Sequence, residues 1–260
     1  MTGVPRPQVQ LLFEAAGRAP GPLDDDALVE LYRYPDDGRR RLRTNFVASL
    51  DGSVQGANGR SGGINTASDH HVFALHRALA DAVVVGASTV RHEGYRAVDL
   101  QPWQRELRAR LGLDPFPTLV IITASANLDP IIATPAHGDG GPVLIITTGG
   151  GRDDDLAPLR SAGITVVEHG DQIDLEAALD RLAEDGRPRL LCEGGPRLHR
   201  DLLAAGLVDE LSLTLAPVVV GGEGLRTTSG AALPQALPFE LAFVLCADDQ
   251  TVFTSYRRRP

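Results

Sequence analysis

The chain has 260 residues, 43% of them apolar and 23% charged, with a formal net charge of −9. Those proportions fit an ordinary globular protein with a core large enough to need no staples, and the acidic balance argues against nucleic acid or an anionic membrane surface as the main partner. No run approaches the roughly 20 apolar residues of a membrane span and no signal-peptide pattern opens the chain, so a cytoplasmic protein is expected.

Residues 1–42 form an N-terminal extension broken by Pro5, Pro7, Pro20, Gly21 and Pro22. Asp24–Asp26 starts one short helix with Leu28, Leu31 and Tyr32 on a single face, its acids at the positive end. The extension is expected to pack on the main domain, residues 43–260, or on a second subunit. From there short β-branched runs alternate with helical patterns. Strands are expected over Arg43–Ser49, Ala82–Val85, Thr118–Thr123, Val143–Thr147, Thr165–Glu168, Leu190–Glu193, Glu210–Pro217, Phe239–Cys246 and Thr251–Tyr256. Helices fit Ser68–Leu79, Asp174–Asp185 and Pro196–Ala205, with Gly186 and Gly206 where C-caps belong. The alternation means an α/β fold with a mostly parallel central sheet and helices on both faces. Phe239–Cys246 and Thr251–Tyr256 have only a turn between them, so that edge is expected to be an antiparallel hairpin.

Several chemistries are absent. All 25 basic residues are arginine, which excludes lysine Schiff bases, a pyridoxal anchor and a Walker phosphate loop. Anions must be held by arginine, hydroxyls or backbone amides. Cys192 and Cys246, the two cysteines, read as buried thiols in a reducing compartment. His71 and His76, five apart, do not share a helix face and no second cluster supplies further ligands, so no metal is expected despite His70 beside them. No Gly-x-Gly-x-x-Gly follows a strand, and no Gly-x-Ser-x-Gly elbow occurs.

Three strand exits carry small or acidic residues, where open α/β sheets bind ligands. The first is Asn45-Phe-Val-Ala-Ser-Leu-Asp-Gly52. Asp51 there can orient a ring amine or serve as a proton source if its pKa is raised; equally it fits an Asx turn. The second is Val85-Gly-Ala-Ser-Thr-Val90, whose Ser88 and Thr89 cap a helix or meet phosphate. The third is Cys192-Glu-Gly-Gly-Pro196, where glycines permit close backbone approach and Pro196 suits the first helical position beside a pyrophosphate; a tight turn without ligand is the alternative. Ser61 and Arg77 can make a phosphate pocket, or Arg77 can be a snorkelling side chain. Arg152 can read a 2′-phosphate or sit in a surface loop.

The order Ser-Leu-Asp-Gly, a Ser-Gly turn, an arginine-bearing helix, Val-Gly-Ala-Ser-Thr-Val, Glu-Gly-Gly-Pro-x-Leu and Ala-Pro-x-x-x-Gly-Gly resembles the pyrimidine reductase of riboflavin biosynthesis, over residues 43–257. The resemblance implies a dihydrofolate-reductase-like fold, NADPH as cofactor, commonly a homodimer, and reduction of a 5-amino-6-ribosylamino-pyrimidine 5′-phosphate to the ribitylamine. By position it implies Asp51 and Glu193 as catalytic acids, and Ser61, Arg77 and Arg96 at the substrate. It implies Val47, Ala48, Thr89, Glu93, Gly194, Gly195, Pro196, Arg197 and Leu198 at the cofactor. Two departures stand out: many bacterial members carry a lysine where this chain has Asn45, and many have Asp-Asp-Pro and a later arginine where it reads His92-Glu-Gly-Tyr-Arg96. The sister deaminase domain is not among these residues. A dihydrofolate reductase of the same fold and a non-catalytic NADPH-binding protein remain as alternatives.

Overall fold

The computed structural model describes residues 7–149 and 153–259; Arg152, a possible phosphate reader, lies outside them. In chain order the elements are β1 (Val9–Glu14), β2 (Gly21–Leu23), α1 (Asp25–Tyr32), β3 (Arg41–Ala48), α2 (Ala67–Leu79), β4 (Ala82–Gly86), α3 (Ala87–Glu93), α4 (Pro102–Arg110) and β5 (Thr118–Ile122). There follow β6 (Val143–Thr148), α5 (Asp153–Ser161), β7 (Thr165–His169), α6 (Leu175–Glu184), β8 (Arg189–Cys192), α7 (Pro196–Ala204), β9 (Glu210–Leu215), β10 (Phe239–Ala247) and β11 (Val252–Arg258). Among the described residues the strands form one sheet, ordered β2-β1-β10-β11-β9-β3-β8-β4-β5-β6-β7. From β9 to β7 every pairing is parallel. From β9 outward through β11, β10, β1 and β2 every pairing is antiparallel.

The core strands are continuous apolar runs because helices cover both of their faces. In β4, Val83 and Val85 pack with Val90 of α3 and Leu156 and Leu159 of α5. Ala82 and Val84 point the other way, to Leu179 and Leu182 of α6 and Leu198 and Leu202 of α7. Each of the buried valine and leucine side chains among these contributes about 1.5–3 kcal/mol by leaving water. Helix α2 starts at Thr66, whose Oγ1 accepts from the Asp69 amide at 3.1 Å. It ends where Arg108 of α4, wholly buried, donates from Nη1 to the carbonyls of Ala78 (3.1 Å) and Ala80 (2.5 Å), satisfying oxygens that a helix end leaves open.

The chain order of the parallel strands decides where the site forms. After running β4 to β7 in one direction, the chain returns and inserts β8 between β3 and β4, pairing Thr44 with Cys192 and Val84 with Cys192. The exits of β3, β4 and β8, far apart in sequence, therefore open side by side, at the switch point where open sheets leave a crevice.

The expected α/β architecture and the β10–β11 hairpin are observed, the latter turning through Gln250 at φ +65. The extension holds more order than its prolines suggest: besides α1 it supplies β1, paired with β10, and β2, which carries the antiparallel edge outward. Helices α3, α4 and α5 were not among the expected ones. The first has seven residues, too few for a helical period to stand out, and α5 carries Pro158 in its interior.

Candidate active site

A cavity of about 650 Å³ occupies the crevice at the exits of β3, β4 and β8. One side is a backbone cradle. Gly86 donates to the Gly194 carbonyl at 2.8 Å and Glu193 donates to the Val84 carbonyl at 3.1 Å, locking the two exits together. The Gly194–Gly195 peptide is cis. Gly194 has φ +92 and lies against the Phe46 ring, while a Cβ on Gly195 would fall 2.3 Å from Thr89 Oγ1. A side chain at 195 would thus force the Thr89 hydroxyl to move. Helix α7 begins at Gly195 with Pro196 as its first residue and no side-chain cap, leaving first-turn amides, that of Arg197 first, at the positive end of the helix. Leu198, expected at the cofactor, instead buries its side chain in the core. Ser88 and Thr89 line the wall opposite, and Val47 borders the same space. Ala48 lies behind that wall, packed with Phe46 and Val54.

Glu193 stands at the mouth of the cradle with its side chain 2% exposed. Three donors hold it: Arg77 Nε at 2.8 Å to Oε1, Arg77 Nη2 at 2.7 Å to Oε2, and the Tyr95 hydroxyl at 2.7 Å to Oε2. The Arg77 guanidinium also rests 4.4 Å from the Phe73 ring centroid. Against its burial, Glu193 holds Arg77 above the usual arginine range. Burial pushes the Tyr95 phenol well up, and the neighbouring Glu193 carboxylate adds to it, so this hydroxyl stays a donor. Glu193 and Arg77 were expected at opposite tasks, acid and phosphate ligand; here they form one forked ion pair.

The turn holding Ser61 is clasped by α3. His92 Nε2 donates to the Gly59 carbonyl at 2.7 Å, and Glu93 Oε1 accepts from the Ser61 amide at 3.1 Å. Glu93 thereby supports the Ser61 turn as well as bordering the cavity. Arg96 is exposed on the rim and lines the cavity, which makes it the cation there whose charge is not already matched by Glu193.

Asp51 lies outside the cavity. Its carboxylate accepts from Ser49 Oγ at 2.5 Å, the Gly221 amide at 2.7 Å and the Val220 amide at 3.3 Å. These bonds, that from Ser49 foremost, depress its pKa to about 2. The raised pKa that a proton source needs is therefore not what the surroundings supply, and Asp51 instead ties the β3 exit to the 217–221 segment. The tie bears on the site, because that segment leads to Leu225, which lines the cavity and accepts from the Val54 amide at 2.8 Å.

Tyr95 and Asp69 are among the wall residues that escaped sequence reasoning. Tyr95 lay in the departure from the family pattern. Asp69, only 3% exposed, borders the cavity together with Asn45. A signal for it exists: Asp69, Phe73 and Arg77 are spaced by four on α2, so they form one stripe, and all three line the cavity. The histidines of α2 diverge. His76 is buried with Nδ1 3.3 Å from Arg43 Nη1, His71 stacks on Trp103, and His70 borders the cavity.

Residues 40–253 match the family model for the RibD C-terminal domain. The chain is 31% identical over 191 residues to the 2,5-diamino-6-ribosylamino-4(3H)-pyrimidinone 5′-phosphate reductase of Methanothermobacter thermautotrophicus, covering 70% of this chain and 80% of that one. The Archaeoglobus fulgidus protein of the same name is 27% identical over 183 residues, covering 70% and 83%. Among solved structures, a pyrimidine reductase-like protein from Corynebacterium diphtheriae superposes with a TM-score of 0.74 at 25% identity, over 85% of this chain and 92% of that one. The fold is accordingly the dihydrofolate-reductase-like α/β fold that the sequence motifs imply.

Proposed function

The chain belongs to the RibD C-terminal domain family, and from that premise we propose that it is an NADPH-dependent reductase converting a 5-amino-6-ribosylamino-pyrimidine 5′-phosphate to the ribitylamino product. The observation that carries the reading is the convergence, in one cavity, of the Gly194–Gly195 cradle and the Glu193–Arg77–Tyr95 cluster. The cradle suits a dinucleotide: glycine at 195 lets the backbone lie directly against the Thr89 hydroxyl, and the uncapped start of α7 favours a pyrophosphate. Gly194, Gly195, Pro196, the Arg197 amide and Thr89 would hold it, with Val47 beside the nicotinamide. When bound, NADPH would supply the hydride to C1′ of the ring-opened sugar imine, and a proton from solvent taken up at the imine nitrogen would complete the amine. Glu193, fixed by Arg77 and Tyr95, orients the sugar hydroxyls beside that carbon, so the chain's contribution is mainly positioning. Arg96 on the rim and the Ser61 turn take the 5′-phosphate.

One observation favours a second reading. Arg77 spends Nε and Nη2 on Glu193, which leaves it less suited to phosphate, and a dihydrofolate-type substrate has no phosphate to hold. The test is NADPH oxidation by the purified protein, followed by absorbance, with ribosylamino-pyrimidine phosphates and, in parallel, dihydrofolate. Turnover of a pyrimidine supports the proposal. Turnover of dihydrofolate alone moves the substrate to the second reading, and tight NADPH binding without turnover of either favours a non-catalytic protein.

A further inference from the structure

We propose that His92 is a positioning residue: together with Glu93 it fastens the Ser61 turn to α3, so that a dinucleotide seated against Thr89 raises the affinity of the site for the ribose phosphate end of its substrate. The inference rests on the reading of the Gly194–Gly195 cradle as a dinucleotide seat and of the Ser61 turn as part of the phosphate seat, and it adds a coupling between the two.

The Ser61 turn has little of its own to hold it in place. Residues 56–64 include four glycines, Gly56, Gly59, Gly62 and Gly63, and the buried side chain of Ile64 comes only at the end. Ordering such a segment costs much backbone freedom. Most of its hydrogen bonds run within it: the Gly56 amide donates to the Arg60 carbonyl at 2.9 Å, the Gly63 amide to the same oxygen at 3.2 Å, and the Ile64 amide to the Ser61 carbonyl at 3.0 Å. Among the described residues, two hydrogen bonds leave the segment, and both go to α3. One runs from His92 Nε2 to the Gly59 carbonyl at 2.7 Å, the other from the Ser61 amide to Glu93 Oε1 at 3.1 Å. A carbonyl only accepts, so Nε2 of His92 carries the proton.

Helix α3 joins that turn to the cradle. His92 and Glu93 stand three and four residues after Thr89, so both share its side of the helix, and all three line the cavity. Thr89 lies directly against the backbone of Gly195. A dinucleotide on the Gly194–Gly195 backbone therefore meets Thr89 and takes freedom from the helix that carries the clasp. With seven residues α3 is about two turns long, and Val90 at its middle is buried in the core, so its two ends move as one body. The cost of ordering the Ser61 turn is then partly met when the dinucleotide binds, and the ribose phosphate that follows has less left to order. His92 lies in the stretch where the chain departs from the family pattern, so the clasp belongs to this chain's own residues and not to the shared motifs.

Calorimetry with NADP and ribose 5-phosphate, each titrated alone and with the other saturating, reads the coupling. In the natural protein each ligand should bind at least about fivefold tighter in the presence of the other, by the same factor in both orders. His92 is exposed, so His92→Ala should fold; it should bring the factor below about twofold while the Kd for NADP alone stays within about twofold. His92→Gln, whose Nε2 can still donate to the Gly59 carbonyl, should keep the factor within about twofold of the natural one. Amide hydrogen exchange gives a readout without turnover: NADP alone should slow it over residues 56–64 in the natural protein and in His92→Gln, and not in His92→Ala. A merely structural tie would lower the Tm of His92→Ala and leave the factor unchanged, and that result overturns the inference. Absence of coupling in the natural protein overturns it without any variant. Pyrimidine turnover alongside either of those results leaves the reductase reading standing, whereas a protein that binds no NADP ends both.

Discussion

Replacing Arg77 with alanine separates an anion-binding arginine from one that holds Glu193. Arg77 makes two hydrogen bonds to Glu193, whose side chain is 2% exposed while its own is 21% exposed. Removing one partner of a buried pair costs about 3–5 kcal/mol, and the partial exposure of Arg77 brings the expectation to about 3 kcal/mol. For a chain of this size that is a fall in Tm of roughly 6–10 °C. The cost comes mostly from the carboxylate left behind, so Glu193→Gln should absorb it: the neutral amide needs no cation and still accepts from Tyr95. A cycle of Arg77→Ala, Glu193→Gln and the double variant, measured by urea unfolding at pH 7, should return a coupling of about 2 kcal/mol. Coupling below about 0.5 kcal/mol would mean that the pair is not formed in solution. If Arg77→Ala leaves stability unchanged but removes only phosphate-bearing substrates, Arg77 is a free anion ligand and the forked pair has been misread.

Three further outcomes follow from the geometry. Gly195→Ala puts a methyl 2.3 Å from Thr89 Oγ1, so NADPH affinity by fluorescence titration should fall at least about tenfold, with partial recovery in the Gly195→Ala, Thr89→Ala double variant, where the opposing hydroxyl is gone. His76 and His199 are buried and held below the usual histidine range, burial being the main cause. As pH drops below about 6.5 the unfolded chain takes up protons that the folded one refuses, so stability should fall by up to about 1.4 kcal/mol per pH unit for each of them. Denaturant unfolding between pH 7 and pH 5 measures the slope, and His76→Gln should reduce it. Asp51, depressed to about 2, contributes its tie fully above the ordinary aspartate range and loses it as pH falls toward 2. Asp51→Ala should accelerate hydrogen exchange at the Val220 and Gly221 amides near neutral pH; unchanged exchange there would remove the tie.

What could be read from the sequence, and what could not, divides by distance along the chain. The three strand exits were legible because each is a local event: an apolar run ends, small residues follow, and a helix begins. That they share one edge of the sheet followed from its parallel strands; that they are neighbours follows from the insertion of β8 between β3 and β4, which no local signal marks. The partners of the charged residues were not legible. Arg77 and Glu193 are 116 residues apart, and Asp51 meets Gly221 across 170; nothing local marks either pairing, so the helix arginine reads as a phosphate ligand or a snorkelling side chain and the turn aspartate as an acid or an Asx turn. Strand β1 was hidden for another reason. Leu12 and Phe13 are exposed while Val9 and Leu11 are buried, so its alternation is interrupted, and the flanking prolines suggested irregular chain.

The charges of the cavity explain why one departure from the family pattern matters more than the other. His92–Arg96 replaces one way of reaching an anion with another, since Arg96 still brings a cation to the rim. Asn45 changes the balance of the interior. With Arg77 matched by Glu193, a lysine at 45 would be the cation available to the Asp69 carboxylate on the same cavity wall, and the two would satisfy each other. A neutral residue there leaves Asp69 with the hydroxyl of Thr214 as its side-chain donor. The rim of this site thus carries a cation in Arg96, and its interior carries a buried carboxylate in Asp69 that no arginine among the described residues matches.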